Sequence, residues 1–272
     1  MPKIQPIRIT ILLLVLAAST IQSRPQSTEK SGDLKNQVRL NYIVDLFNKD
    51  FNRDPWQVAA LSYSRKTHLG TLIARLNVAD RYHITGVQGE VDAWPKFGKK
   101  DYGYLNYGYS GSQVFPKNRA GAEWYHNFPK AFEASAGVRL LWFDSSEVNI
   151  ITATVGKYFG NNWISLRAFI TPDLDKKTTA TAWFLQMRHY GAVAENYLGM
   201  RLGYGISPDD RRNLLDSGQM LTTKTGSARI EYNHLFGSRW ILNAAGVYSV
   251  EQLQSGNHSG YYTLDISIIH LF

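Results

Sequence analysis

The sequence predicts an all-β fold: an antiparallel up-and-down transmembrane β-barrel of about 14 strands (12 as the alternative), preceded by a cleavable signal peptide. Three observations carry this prediction. The first residues have the anatomy of an export signal. From Val38 to the last residue, short segments alternate apolar and polar side chains with period two, and charges stand in the middle of the polar face. The connections between these segments alternate long and short, as in barrels with extracellular loops and periplasmic turns.

At the N-terminus, Lys3 and Arg8 precede the apolar run Ile9–Ala18, which is too short for the roughly 20 residues that a membrane-spanning helix needs. Small residues follow, and cleavage after Ser19 or Ser23 is consistent with a Sec-type signal peptide over residues 1–23. Residues 24–36 are polar and read as a flexible periplasmic leader, leaving 37–272 for the barrel. The chain has no cysteine, which excludes a lipoprotein anchor, disulfides and thiolate metal sites. The net charge is +8, and loss of Lys3 and Arg8 with the signal takes it to +6. The basic residues are dispersed among acids and form no long block, which argues against a nucleic-acid partner. No later stretch approaches 18 apolar residues, so membrane-spanning helices are not expected. The mean hydropathy of −0.28 suits a barrel, because only alternate residues face lipid.

Strands are expected to start near residues 38, 55, 70, 84, 102, 119, 132, 147, 162, 178, 194, 223, 239 and 259. In the first, Val38, Leu40, Tyr42, Val44 and Leu46 oppose Arg39, Asn41 and Asp45. In the third, Leu72, Ala74, Leu76 and Val78 oppose Arg75 and Asn77; in the seventh, Ala134 to Trp142 oppose Glu133, Ser135 and Arg139. Ile164, Leu166, Ala168 and Ile170 oppose Ser165 and Arg167; Leu198 to Tyr204 oppose Arg201; Ala228, Ile230 and Tyr232 oppose Arg229, Glu231 and Asn233. The last strand is the most regular, with Tyr262, Leu264, Ile266, Ile268, His270 and Phe272 facing away from Thr263, Asp265 and Ser267.

An even strand number puts both ends on the periplasmic side. Asn48–Asp54, Ser110–Asn118, Thr171–Lys177, Ser207–Thr222 and Glu251–Ser259 are then the extracellular loops. Lys66–Leu69, Phe128–Lys130, Phe159–Asn161, Gly191–Val193 and Phe236–Ser238 are the short periplasmic turns. Asp80–His83, short on the outer side, and Pro95–Asp101, long on the inner side, depart from the pattern. Trp56, Trp94, Trp124, Trp142, Tyr158, Trp163, Tyr190 and Trp240 lie near strand ends, where aromatic girdles meet the membrane interfaces. A secreted β-sandwich or jelly roll is the soluble alternative, which would leave the mid-strand charges to solvent; the closing aromatic strand and the aromatics near strand ends favour the barrel.

Several motifs, in order, resemble the YaiO family of outer-membrane proteins. They are Arg75-x-Asn77-x-Ala79-Asp80-Arg81-Tyr82, Gly86-x-Gln88-x-Glu90-x-Asp92-Ala93-Trp94-Pro95 and Tyr102-x-Tyr104-Leu105-Asn106-x-Gly108-Tyr109-Ser110. Phe115-Pro116-x-x-Arg119-x-Gly121-x-Glu123-x-Tyr125, Glu133-Ala134-Ser135-x-Gly137-x-Arg139, Thr154-x-Gly156-Lys157-Tyr158, Ser165-Leu166-Arg167 and Ser207-Pro208-Asp209 follow. The resemblance implies a barrel in the outer membrane of a Gram-negative bacterium, with some relatives linked to surface or exported polysaccharide. It also implies that the strand ending in Phe272 is the assembly signal read by the barrel-assembly machinery.

With the apolar faces in lipid, Arg39, Asp45, Arg75, Glu90, Asp92, Glu123, Glu133, Arg139, Arg167, Arg188, Arg201, Arg229, Glu231 and Asp265 are expected to line the lumen, because charges in lipid are costly. Tyr125, Trp94, Trp163 and Phe169 are expected to point inward beside them. Two functions fit: a pore or export channel for a polar solute such as saccharide or exopolysaccharide, and a closed structural or surface-interaction barrel without transport. No nucleophile elbow, His-x-x-x-His pair or phosphate loop occurs. No enzyme activity, cofactor or metal is therefore expected, and Asp209-Asp210 is too small a set of oxygens for a cation. The expected partners are membrane lipid, the assembly machinery and saccharide.

Overall fold

The computed structural model describes residues 34–272, apart from 52, 145, 174–177, 207–223 and 253–255. The strands are β1 (Asn36–Phe47), β2 (Trp56–Thr67), β3 (Gly70–Arg81), β4 (Ile84–Pro95), β5 (Asp101–Tyr109), β6 (Asn118–Phe128) and β7 (Phe132–Trp142), followed by β8 (Glu147–Phe159), β9 (Asn162–Asp173), β10 (Thr178–Tyr190), β11 (Tyr197–Gly205), β12 (Thr225–Phe236), β13 (Trp240–Gln252) and β14 (His258–Leu271). They form one closed barrel in sequence order, and β14 returns to β1. Each strand begins within three residues of its expected start. The largest offset is at β11, because the turn before it runs on through Asn196, whose carbonyl accepts from Gly191 N. The signal peptide and most of the leader, like the loop Ser207–Thr222 and Asp209-Asp210, lie outside the described residues.

Closure is antiparallel along the whole of β1, from Gln37 opposite Leu271 to Phe47 opposite Tyr261. Asn36 and Phe272 complete it by exchanging two backbone hydrogen bonds of 2.8 and 2.9 Å. Both ends of the barrel sequence thus meet at one mouth. The connections there are mostly tight, such as the two-residue hairpin between Thr67 and Gly70. The opposite mouth carries the longer loops, the extracellular arrangement in barrels of this kind. The expected leader is shortened at its C-terminal end. Leu34 is buried against Ile241, Ile269 and Leu271 inside the tight-turn mouth, and Asn36 already belongs to β1.

Period two decides which side chains meet lipid. Leu72, Leu76, Val87, Val91, Val138, Ile151, Val155, Leu166, Leu198, Ile230 and Leu264 are exposed on the outer surface, as an apolar band requires. At the tight-turn mouth this band ends in rings. Phe97 stacks on Trp124 at 4.8 Å, and Trp240 packs on His270 at 4.4 Å. Lys157 lays its ammonium 4.6 Å from the Phe132 ring, as snorkelling at an interface predicts.

Five of the eight residues expected in the girdle face inward, where two of them, Trp94 and Trp163, are also expected. Trp56 is 4% exposed and sits inside the barrel. Trp94 has the parity of Glu90 and Asp92, Trp163 that of Ser165 and Arg167, Tyr158 that of Thr154, and Tyr190 that of Arg188, so these rings also face inward. Nearness to a strand end is shared by both faces; only parity separates an interfacial ring from a luminal one.

Deleting Tyr261–Phe272 should abolish the heat-modifiable barrel on gels. Opening the β1–β14 seam leaves a ladder of backbone groups in hydrocarbon, at several kcal/mol each. Deleting Phe272 alone removes one rung and should slow refolding while leaving the shift intact. A truncated chain that kept the shift would show that this seam is dispensable.

Candidate functional site

The inner face is built by register. Arg75 on β3 lies directly opposite Glu90 on β4, and its Nε is 3.2 Å from Glu90 Oε2 while its other end reaches Asp92. From the far side, Arg119 Nη1 is 3.0 Å from Glu90 Oε1, and Arg119 Nε donates to Asn106 Oδ1 at 3.1 Å. Asp92 also accepts from the Tyr104 hydroxyl at 3.0 Å and from Asn106 Nδ2 at 2.6 Å. Glycine makes this crossing possible. A Cβ on Gly108 would stand 2.9 Å from Arg119 Cγ and 3.0 Å from Glu90 Cγ.

The network continues across β6, β7, β8 and β9. Glu123 accepts from Arg167 Nη2 at 2.7 Å and from the Ser135 hydroxyl at 2.6 Å. Arg167 also donates to Thr154 Oγ1 at 2.7 Å and to the Tyr125 oxygen at 3.0 Å. Glu133 accepts from the Tyr102 hydroxyl at 2.7 Å. A second network spans the seam. Arg229 is 3.1 Å from Glu231 and 3.0 Å from Asp265, Asn41 donates to Asp265 at 2.7 Å, and Arg39 donates to Ser267 Oγ at 2.7 Å. The Tyr197 hydroxyl donates to Glu231, and that of Thr263 to Asp45.

Other inner-face arginines lie against rings. Arg188 lies 5.5 Å from the Trp163 centroid and 4.7 Å from that of Tyr197. Arg201 lies 5.5 Å from Phe184, and Arg139 5.1 Å from Phe169. The residues expected to line the lumen all have inner-face parity; their ion pairs fall into two networks, while Arg139, Arg188 and Arg201 lie against rings. Arg119 belongs with them and was missed, although its parity with Gly121 and Glu123 is legible in the sequence.

Beside these charges runs an aromatic wall. Tyr102 and Tyr125 stack at 4.6 Å with an interplanar angle of 9°. Trp94 lies 4.7 Å from Tyr104 and 5.9 Å from Tyr125.

The loop-side mouth is narrowed from within. Ser110–Lys117, expected to project outward, instead folds onto the inner wall. Val114 and Phe115 are buried against Ala79, Val58 and Ile84. The place is kept open by Gly86, where a Cβ would meet Ser112 Oγ and Val114 Cγ2 at 2.2 Å. Arg81 Nη1 donates to the Val114 carbonyl at 3.4 Å, with its guanidinium 6.0 Å from Trp56 and 5.7 Å from Phe115. Trp56, Phe51 and Tyr261 all pack around Phe47 at 4.9 to 5.4 Å. The sequence signal was the apolar Val114-Phe115-Pro116 inside an otherwise polar loop.

A closed all-antiparallel barrel, apolar outside and charged inside, defines an integral outer-membrane β-barrel. The YaiO membrane β-barrel domain matches residues 35–210, and the chain belongs to that family. No curated protein matches the chain. Among solved structures, it is similar to the CymD monoaromatic hydrocarbon channel (8% identity, TM-score 0.55, 88% of this chain and 89% of that one). It is also similar to a bacterial polysaccharide outer membrane secretin (10% identity, TM-score 0.53, 88% and 98%). At these identities the likeness is one of fold.

Replacing Arg75 by Met should destabilise the barrel by roughly 1–3 kcal/mol, because Glu90 and Asp92 lose their shared cation. Adding Asp92→Asn should recover part of that loss. Urea unfolding followed by Trp fluorescence in liposomes checks this, and additive losses would show that the two side chains do not act together.

Proposed function

We propose that the protein is a passive outer-membrane channel for a polar solute of the saccharide class, consistent with passage of an exported polysaccharide. The observation that carries this reading is the wall of Trp94, Tyr102, Tyr104 and Tyr125 next to Asp92, Glu133 and Arg167. A charge network built only to stiffen a barrel has no use for ring faces. A sugar does, because its apolar C–H face stacks on aromatic rings while its hydroxyls reach adjacent polar groups. The two structures of similar fold carry different cargo by their descriptions, a hydrocarbon and a polysaccharide, so the fold alone does not choose between them. The side chains of this chain favour the sugar. In the same reading the protein has no enzymatic activity, reaches the membrane by Sec-type export, and presents the strand ending in Phe272 to the barrel-assembly machinery.

A specific observation favours the closed-barrel reading as well: Ser110–Lys117 and the rings around Trp56 fill part of the loop-side mouth. The two readings part in a planar bilayer. The channel reading expects stable conductance steps from the refolded protein, partly blocked by a soluble oligosaccharide, with shorter blockades in Trp94→Ala. Silence in several lipids, unchanged when residues 110–117 are replaced by a short Gly-Ser linker, would establish the closed barrel instead.

A further inference from the structure

Resting on the channel reading, we propose that the lumen selects anionic solutes, and that Arg139 is the point at which it binds the carboxylate of an acidic saccharide.

Charge count alone would not give selectivity. The inner-face arginines named above, Arg81 and Arg119 included, outnumber the named acids by only two. Depth separates them. The Arg75 side chain is 35% exposed while those of Glu90 and Asp92, which it bridges, are each 3% exposed. Arg119 is 20% exposed over Glu90, and Arg167 is 24% exposed over a Glu123 side chain at 2%. The cause is geometric. A carboxylate stands two or three bonds from its strand, whereas a guanidinium reaches across it from the neighbouring strand. The acids are covered further by Tyr104, Asn106, Ser135 and Asn77, which donate to them. On the β3–β9 side the wetted layer is therefore guanidinium, with its counter-charge sunk in the wall. Across the seam the two signs are equally exposed, at 12 to 15% in the Arg229 pairs, so the cationic surface is confined to one side. An ion in the lumen meets the nearer charge first, and low-dielectric walls sharpen that difference.

Within this layer Arg139 is different. Arg75, Arg119 and Arg167 are each committed to a carboxylate. Arg139 makes no hydrogen bond or ion pair among the described residues; its contact is the Phe169 ring at 5.1 Å. The acid near it, Glu123, is already taken by Arg167 and Ser135. Arg167 approaches the same ring at 5.8 Å. Arg139 therefore presents the planar fork that binds a carboxylate by two parallel hydrogen bonds. Tyr104, which packs against Trp94 at 4.7 Å, is among its electrostatic neighbours. Carboxylate fork and ring faces together describe a uronic-acid sugar better than a neutral sugar or a simple salt ion.

The test uses the refolded full barrel in planar bilayers with a potassium chloride gradient. The expected reversal potential lies toward that of chloride, and a uronic-acid trisaccharide blocks current at lower concentration than a neutral trisaccharide. Arg139→Gln should weaken block by the acidic trisaccharide about tenfold, the loss of one charge-assisted contact, and leave block by the neutral one and the heat-modifiable shift unchanged. Arg139→Lys keeps charge without the fork and should fall between. Steps with potassium preference, or equal block in Arg139→Gln, would overturn the inference while the channel stands. If no steps appear, with or without replacement of residues 110–117, the channel reading fails, and Trp94 fluorescence, taken as the difference from Trp94→Phe, still tests the lumen's sign. Stronger quenching by iodide than by caesium supports a cationic lumen; caesium quenching that equals or exceeds iodide quenching, including none by either ion, overturns it.

Discussion

The structure depends on one constraint: backbone N–H and C=O groups inside a bilayer have no water to turn to. A β-structure meets that constraint only by closing on itself, and here closure falls on the pairing of β1 with β14. Much else follows from it. The even strand number brings Asn36 and Phe272 to one mouth. Antiparallel neighbours joined in sequence order need only short turns there. Because every strand then has one face in lipid and one in the interior, each residue's environment is fixed by its parity.

Parity explains how charges come to fill the interior. A residue at mid-strand that cannot face hydrocarbon must face inward, and there it meets others with the same restriction two residues away and across the ladder. Long arginines on one strand find short acids on the next, as Arg75 finds Glu90 and Asp92. Small residues at intervening inner positions, such as Gly108, leave volume for the crossing. Rings are held by the same packing, so Trp94, Tyr104 and Tyr125 form a surface rather than separate side chains. The interior is therefore graded: apolar clusters at both mouths, around Leu34 and around Val114, with ion pairs and aromatics between.

Most of the fold was legible in the sequence because lipid imposes a period-two signal that even a weakly apolar chain must display. Strand starts were recoverable where alternation meets a turn residue, as at Gly70 and Asn162. They were less so at Tyr197, where Ala192-Val193-Ala194 continues an apolar texture through a turn. The luminal charges were legible by elimination, since lipid forbids them. Three things were not. Trp56 and its ring cluster looked interfacial because the sequence reports distance from a strand end more plainly than face. The inward fold of Ser110–Lys117 depends on contacts from β2, β3 and β4 that no local pattern encodes. The pairing of each arginine depends on side-chain reach and on register across non-adjacent strands, as when Arg167 on β9 reaches Glu123 on β6.

The central claim is that one face of every strand meets water and the other meets lipid. Because the chain has no cysteine, single cysteines placed in turn from Ile164 to Ile170 on β9 test it directly with a water-soluble maleimide on the refolded barrel in liposomes. Cysteine at Ser165 and Arg167 should label, and cysteine at Ile164, Leu166 and Ala168 should not. Labelling without alternation, or with the opposite alternation, would contradict the barrel as described.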